Sequence, residues 1–206
     1  MHIHTKDDMS FSELGLDPAL LAALTDSGYT LPTPVQAQAI PAAITGRDLI
    51  VCAQTGSGKT AAFMLPALHR LAPQERPATA ARSAGRPAGR TPSRGGEQQR
   101  AQPARPRLLV LTPTRELALQ VTAASEKYGR RMHQMRAVAI LGGMPYPKQM
   151  ELLARNPEIL VATPGRLIDH MSSGRIDFSQ LQMLVLDEAD RMLDMGFIDD
   201  IERIVA

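Results

Sequence analysis

Five short apolar runs divide the chain, and each is followed by a stretch of helical character. Uninterrupted apolar runs of this length are typical of strands buried on both faces of a parallel sheet. The predicted strands lie within residues 48–53, 107–113, 137–143, 158–164 and 182–188. The predicted helices lie within residues 59–71, 115–131, 146–155, 166–172 and 191–205. Pro66 predicts a kink or a break in the first of these helices. This alternation predicts a doubly wound α/β domain, a parallel sheet flanked by helices on both faces.

A glycine-rich stretch follows the first predicted strand and opens the first predicted helix. Its sequence, AQTGSGKT, fits the phosphate-loop pattern G-x-x-x-x-G-K-[ST], except that Ala53 stands at the first glycine position. Glycines let successive backbone N–H groups turn inward onto phosphate oxygens, and the helix N-terminus adds partial positive charge. We expect Lys59 to reach the terminal phosphates and the Thr60 hydroxyl to bind Mg²⁺. The predicted nucleotide-binding residues of this loop are Ala53, Gln54, Thr55, Gly56, Ser57, Gly58, Lys59 and Thr60.

The last predicted strand ends in a cluster of carboxylates, LVLDEAD at residues 184–190. Taken alone, the cluster favours an acidic turn, with a metal site as the alternative. Ligands of open α/β sheets bind beyond the carboxyl ends of the strands, where the phosphate loop also lies. The pair therefore predicts NTP hydrolysis. Asp187 would hold Mg²⁺ through water, and Glu188 would orient and deprotonate the water that attacks the γ-phosphate.

Charge is distributed unevenly along the 206 residues, although the formal net charge is only +2. Residues 73–107 carry eight arginines against two glutamates and contain no aromatic residue. Many prolines and glycines interrupt the same segment, so it cannot offset its ordering entropy by burial. We interpret it as a flexible insertion within one domain. Two roles stay open, a solvated spacer and a loose tether for nucleic-acid phosphates.

The composition of the chain indicates in which cellular compartment the protein functions. The chain is 44% hydrophobic and 21% charged, which is ordinary for a folded domain in water. Its single cysteine, Cys52, excludes an internal disulfide framework and suits a reducing compartment. The apolar runs fall short of the roughly 18 residues that a membrane span requires. These features predict a cytoplasmic protein that does not cross a membrane.

Several motifs together resemble those of the DEAD-box RNA helicases. Asp187-Glu188-Ala189-Asp190, followed by RMLDMGF, is similar to the signature of that family. GYTLPTPVQ at residues 28–36 resembles its adenine-sensing Q motif. PTREL at 113–117, the glycine pair at 142–143 and TPGRL at 163–167 resemble its RNA-contacting motifs. The start of the chain, MSFSELGLDPALLAAL, looks most like the bacterial RhlE-type subgroup.

This resemblance implies a RecA-like P-loop NTPase domain that uses ATP and Mg²⁺ and binds RNA. Tyr29 and Gln36 would belong to the adenine pocket, where a carboxamide can both donate and accept. Phe11 stands where the family carries an aromatic that packs on the base; an ordinary apolar contact is the open alternative. Asp190 would couple to a Ser-Ala-Thr motif. The implied RNA contacts are Pro113, Thr114, Arg115, Gly143, Thr163, Pro164, Gly165 and Arg166.

The RNA role of these loops has plainer alternatives on the residues alone. Arg115 and Glu116 can form a local ion pair, and TPGR can be simply a turn and a helix start. Contacts restricted to the RNA backbone would be largely independent of sequence.

By the same resemblance, residues 1–206 form the first of two RecA-like domains, ending before the Ser-Ala-Thr motif. The second domain would supply arginines to the γ-phosphate, so we expect this chain alone to be largely inactive. Two other functions stay open, a different P-loop ATPase motor and a non-catalytic RNA-binding module that uses the arginine-rich segment.

Overall fold

The computed structural model describes residues 9–72, 102–133 and 135–206. Its strands are β1 (Leu108–Leu111), β2 (Ala137–Ile140), β3 (Ile159–Ala162) and β4 (Met183–Leu186). Its helices are α1 (Pro18–Asp26), α2 (Pro34–Ile44), α3 (Lys59–Leu71), α4 (Arg115–Gly129), α5 (Tyr146–Leu153), α6 (Pro164–Ser172), α7 (Ala189–Asp194) and α8 (Ile198–Val205), with short 3₁₀ turns at Phe11–Leu14 and Phe178–Gln180.

The four described strands form one parallel sheet in the order β2-β3-β1-β4. Leu108 lies opposite Ile159 on one side and Met183 on the other, which fixes the register of the three strands. Parallel neighbours need crossover connections, and helices supply them here. The predicted α/β fold with a parallel sheet is confirmed.

Alternate residues of the strands enter two separate apolar cores. Leu108 and Val110 of β1 face one core with α1 to α4, where Leu20, Leu65 and other side chains are fully buried. Leu109 of β1 faces the second core, with α5, α6, α7 and α8. Because successive side chains of a strand point to opposite faces, a fully apolar run fills both cores. The prediction of helices on both faces is confirmed.

Local sequence accounts for several helix starts at the carboxyl edge of the sheet. Thr33 caps α2, with its hydroxyl accepting the N–H of Gln36 and the Gln36 side chain returning to Thr33 N–H. The Thr114 hydroxyl likewise accepts the N–H of Leu117 at the start of α4. Such caps satisfy donors that an unpaired helix end would leave open. These caps fix where the loops that lead into α2 and α4 end.

The predicted strand at residues 48–53 is wrong for the described structure. The segment adopts no regular secondary structure and pairs with no described strand, and Ile50 is 96% exposed. The β4 strand lies at the sheet edge beside no further strand, and its Leu184 and Leu186 are also exposed. An apolar run becomes a strand only when another strand completes its hydrogen bonds.

Two helix predictions are corrected as well. α3 runs unbroken through Pro66, which is buried inside it. Residues 191–205 form two helices instead of one, because the chain turns at Gly196, which has φ of 81°.

Most of the predicted insertion, residues 73–101, lies outside the described residues. Its last part is fixed to the fold. Ala104 is buried and forms a parallel bridge with Ile176, and Arg105 pairs with Asp177 at 2.9 Å. Arg107 donates to the carbonyl of Leu71 at 2.9 Å. Residues 102–107 therefore belong to the packed domain.

Candidate functional site

The phosphate loop forms a tight backbone curl before α3. Gly56 and Gly58 have φ of 81° and 91°, in the left-handed region that glycine adopts without strain. The Lys59 ammonium donates back to the carbonyl of Ala53 across the loop. The Ser57 hydroxyl is buried without a hydrogen-bond partner among the described residues. A curled loop with an unsatisfied hydroxyl at a helix N-terminus fits a phosphate group.

Gln36 connects the start of α2 with this loop. Its side chain is only 2% exposed. Its Oε1 accepts from the Thr33 N–H at 3.0 Å, and its Nε2 donates to the carbonyl of Gly58 at 3.2 Å. One N–H of the amide stays free for a further acceptor. The adenine contact of Gln36 stays a prediction. The observed hydrogen bonds connect the start of α2 with the phosphate loop.

Aromatic packing surrounds Phe11 and Tyr29. Phe11 is 5% exposed, and its ring meets Tyr29 edge-on at 6.3 Å between centroids. The Tyr29 hydroxyl lies 3.0 Å from that of Tyr128, and the Lys127 ammonium lies 4.8 Å from the Tyr29 ring centre. Burial, and then the hydrogen bond with Tyr29, raise the pKa of Tyr128. In this conformation Phe11 makes the ordinary apolar contact that the sequence left open.

Asp187 is placed at the carboxyl end of β4, beside the end of β1. Its backbone N–H donates to the carbonyl of Leu111 at 3.0 Å, and the residue is 7% exposed. Burial raises the pKa of the Asp187 carboxyl, and the negative charge of Glu188 raises it further. The positive charge of Lys59 acts in the opposite direction. A buried carboxylate that is costly to ionise is one that a bound cation would stabilise. The Asp187 carboxylate is therefore suited to a cation such as Mg²⁺, and the Thr60 ligand stays a prediction.

Glu188 adopts an unusual backbone conformation. Its φ of 52° is one of only two positive values among the described non-glycine residues. Its carboxylate pairs with Arg191, with 3.1 Å between Oε2 and Nη1. The adjacent Asp190 is exposed and accepts the backbone N–H of Arg191 at 2.9 Å. Left-handed conformations of such residues concentrate at functional sites. The sequence analysis anticipated neither the left-handed backbone of Glu188 nor its ion pair with Arg191.

The predicted RNA-contacting residues lie at the same edge of the sheet, after β1, β2 and β3. Thr114 caps α4, Thr163 precedes α6, and Pro164 is its first residue. The Arg115 guanidinium covers Gly143, since a Cβ added at Gly143 would meet Arg115 Nη1 at 2.4 Å. No ion pair joins Arg115 to Glu116 in the part of the chain that the structure describes.

The remaining predicted contacts differ in exposure. Arg166 pairs with Asp169 at 3.5 Å and stays partly exposed. Gly165 is exposed, with no side chain or backbone within 4 Å of a Cβ built there. Pro113 is buried and shapes the loop from within. The loops thus present an arginine, hydroxyls and open glycine backbone, which are groups that contact phosphate and sugar.

A groove of about 640 Å³ lies between α2 and residues 49–53 and reaches Ser57. Its size is within the range of small-molecule pockets. It adjoins the phosphate loop, with Thr33 and Pro34 on one wall.

Within residues 9–72, 102–133 and 135–206 no helix has the length and apolar character of a membrane span. The same ranges hold no cluster of three or more His, Cys, Asp or Glu side chains suited to a metal.

Two buried polar residues near these loops escaped the sequence analysis. Gln149 on α5 and His170 on α6 are both fully buried. Their side chains lie 3.2 Å apart, Oε1 to Nε2. Neither belongs to a motif that the sequence analysis singled out, and a single sequence gives no sign that they meet.

Comparisons with known proteins agree with this geometry. The DEAD/DEAH box helicase family matches residues 33–206. The ATP-dependent RNA helicase DeaD of Klebsiella pneumoniae is 44% identical over 199 residues, and that of Escherichia coli (strain K12) is equally similar. The alignment covers 97% of this chain but only 27% of either relative. These relatives do not confirm the RhlE-type subgroup, which stays a prediction.

Two solved structures are similar as well. A hypothetical ATP-dependent RNA helicase from Sulfolobus tokodaii is 36% identical with a TM-score of 0.72, covering 92% of this chain and 46% of that one. The RNA helicase Prp28 from Chaetomium thermophilum, solved with ADP bound, is 35% identical with a TM-score of 0.77, covering 98% and 44%. The RecA-like fold is therefore shared.

Proposed function

Because the chain belongs to the DEAD/DEAH box helicase family, we propose that it is the ATP-binding first part of an ATP-dependent RNA helicase. In this role it would couple ATP hydrolysis to the remodelling or unwinding of RNA duplexes. One observation carries the proposal. The Lys59 charge of the curled phosphate loop acts on the buried Asp187 at the carboxyl end of β4, and the predicted RNA loops follow β1, β2 and β3 at the same edge of the sheet.

The nucleotide half of the proposed mechanism follows from charge and backbone geometry. N–H groups of residues 54–60 and the Lys59 ammonium hold the phosphates, and Lys59 exchanges the Ala53 carbonyl for a phosphate oxygen. Thr60 and, through water, Asp187 would hold Mg²⁺, which supplies charge neutralisation to the phosphates. Gln36 would select ATP with the part of its amide that the protein leaves free.

Hydrolysis would be assigned to Glu188. Its carboxylate releases Arg191 and accepts a proton from the attacking water while the new oxygen–phosphorus bond forms. The bond from the γ-phosphorus to the bridging oxygen breaks, and ADP leaves with that oxygen. The left-handed backbone of Glu188 fixes the direction of the carboxylate in advance.

RNA would bind along the loops after β1, β2 and β3. Arg115 and Arg166 provide charge, Thr114 and Thr163 provide hydroxyls, and Gly143 leaves room for the Arg115 guanidinium. Such contacts are largely independent of base sequence. We place this activity in the cytoplasm, in keeping with the single, exposed Cys52.

The proposal includes a second RecA-like domain, to which Asp190 would couple. Asp190 is exposed and free to receive such a partner on its solvent side. Arginines from a second domain would stabilise the transition state, and their absence costs roughly 10³–10⁵ in rate in related systems. We therefore expect this chain alone to bind MgATP weakly, with negligible RNA-stimulated hydrolysis.

The test compares RNA-stimulated ATPase activity of this chain with that of a version extended through a second domain. Turnover should appear in the extended protein and fall by orders of magnitude on Glu188→Gln. Lys59→Ala should abolish nucleotide binding in both proteins. Strong RNA-dependent turnover from the chain alone would refute the requirement for a second domain. Unchanged turnover of Glu188→Gln would refute the assignment of the base.

A further inference from the structure

Two fully buried polar side chains connect the loops proposed to bind RNA. Gln149 lies on α5, after the glycine loop at 142–143, and His170 lies on α6, after the TPGR loop. Among the described residues, their side-chain hydrogen bonds go to the glycine loop and to each other. Burying a polar side chain costs free energy unless its hydrogen bonds are made, so the partners of this pair are informative.

The Gln149 amide clamps the glycine loop. Its Nε2 donates to the carbonyl of Leu141 at 3.2 Å and to that of Met144 at 2.7 Å. Those two carbonyls flank Gly142 and Gly143. Since carbonyls only accept, the amide nitrogen must face the loop and both of its N–H groups are used. The amide orientation is therefore fixed by chemistry.

This orientation fixes the tautomer of His170. Gln149 Oε1, an acceptor only, faces His170 Nε2 at 3.2 Å, so Nε2 carries the proton. The other ring nitrogen, Nδ1, is buried without a partner among the described residues. The ring stacks on Tyr146, with centroids 4.7 Å apart and planes 8° from parallel. The imidazole is thus held by one directional bond and one flat contact.

The surroundings keep this imidazole neutral. Burial lowers the pKa of His170, and the positive charges of Arg166 and Arg175 lower it further. Asp169 acts in the opposite direction. A neutral donor at Nε2 suits the Gln149 acceptor across the neutral pH range.

The pair completes a chain of contacts between the three loops. Arg115, from the loop after β1, lies against Gly143 in the loop after β2. Gln149 joins that second loop to His170, and His170 belongs to the helix that carries Arg166. We propose that Gln149 and His170 are positioning residues, which set the glycine loop against α6 so that both loops meet one RNA backbone. This inference rests on the proposed RNA function.

Substitution of His170 separates its two contacts. His170→Phe keeps the ring that stacks on Tyr146 but removes the donor to Gln149. His170→Gln restores a donor at about the position of Nε2 and removes the ring. His69→Phe on α3, far along the chain from these loops, replaces a histidine that is partly buried and serves as the control. Binding of a short fluorescein-labelled oligouridylate is measured by anisotropy at low salt, and binding of a fluorescent ATP analogue is measured beside it.

We expect His170→Phe to weaken RNA binding roughly three- to tenfold, the range of one net hydrogen bond. His170→Gln should recover most of this loss, while ATP-analogue affinity stays unchanged in all variants. Equal RNA affinity of His170→Phe and the wild-type chain would overturn the inference, and so would parallel losses of RNA and nucleotide affinity.

A second readout does not depend on RNA. Nitrogen NMR of the histidine ring should show the Nε2–H tautomer. Amide resonances of Gly142 and Gly143 should shift in His170→Phe and return toward wild type in His170→Gln. Glycine resonances unmoved by His170→Phe, or an Nδ1–H tautomer, would overturn the pair. A wild-type chain without RNA affinity, but with these shifts, would instead refute the proposed function of the loops.

Discussion

Gly58→Ala should disconnect the two nucleotide motifs that Gln36 holds together. A Cβ at residue 58 would lie 2.3 Å from Gln36 Nε2 and 3.3 Å from Thr33 Oγ1. Contacts this short force the amide away from the Gly58 carbonyl. Because Gln36 is buried, its amide has no solvent to turn into. The substitution therefore strains the backbone at residue 58 and also breaks the hydrogen bond between Gln36 and the Gly58 carbonyl.

The cost has two parts. A non-glycine residue at the φ of 91° observed for Gly58 costs about 1–2 kcal/mol. Loss of the hydrogen bond from Gln36 adds about 0.5–1.5 kcal/mol. The free energy of unfolding should thus fall by about 1.5–3.5 kcal/mol, which corresponds to a Tm lower by roughly 3–14 °C for a chain of this size.

Gly56→Ala is the matched control, because Gly56 has φ of 81° but nothing within 4 Å of a Cβ built there. It should show the backbone cost alone. Urea unfolding followed by circular dichroism measures both variants, alone and combined with Gln36→Ala. In the Gln36→Ala background, the cost of Gly58→Ala should fall to that of Gly56→Ala. Costs that add to within about 0.5 kcal/mol would show that Gln36 and Gly58 are independent and refute the reasoning.

Two further predictions concern the RNA loops and the buried carboxylate. Gly143→Ala should weaken oligonucleotide binding in anisotropy measurements, because the added Cβ displaces Arg115 and strains a backbone with φ of 74°. Gly142→Ala is the control, since a Cβ there would meet open space, and it should bind as the wild-type chain does. Equal binding of the two variants would count against the contact between Arg115 and Gly143. Without Mg²⁺, Asp187→Asn should raise Tm at neutral pH. The wild-type carboxyl has a raised pKa in the folded state, so its folded state loses stability as pH rises from 3.8 through that pKa. The Asn variant lacks this loss, and the Tm difference should vanish below pH 3.8; a difference that persists there would contradict the titration of Asp187.

The sequence predicted the described strands after residue 102 and the edge where the site lies. Those strands are short, wholly apolar and separated by helices, so their pattern has one reading in a parallel sheet. The phosphate loop was predicted equally well, because its glycine positions and the Lys59-Thr60 pair match a pattern whose chemistry is understood. Thr33 and Thr114 cap α2 and α4 in the structure, which agrees with the general preference for threonine at this position.

Features that depend on contacts between residues far apart along the chain could not be predicted from the sequence. The run at 48–53 has a strand's composition but pairs with no described strand, and composition alone carries no information about pairing. Glu188 is the left-handed residue directly before α7, two positions after β4 ends, and no sequence pattern marks this conformation. Gln149 and His170 lie 21 positions apart, and only the packing of α5 on α6 brings them together. Each miss is a tertiary effect that overrides a local pattern.

The order of the strands accounts for how the two halves of the site adjoin. The Asp187 N–H donates to Leu111 at the end of β1, and the Thr112 N–H donates to Ala162 at the end of β3, both at 3.0 Å. The Thr163 N–H donates in turn to Ile140 at the end of β2, at 3.4 Å. Each loop is thus tied to the next along the carboxyl edge, in the sheet order. A shift of the backbone at Asp187 would therefore act first on the end of β1, the strand that leads into the loop before Arg115. Neighbouring strands are about 4.8 Å apart, so the residues proposed to bind nucleotide and those proposed to bind RNA are separated by no more than adjacent strand ends.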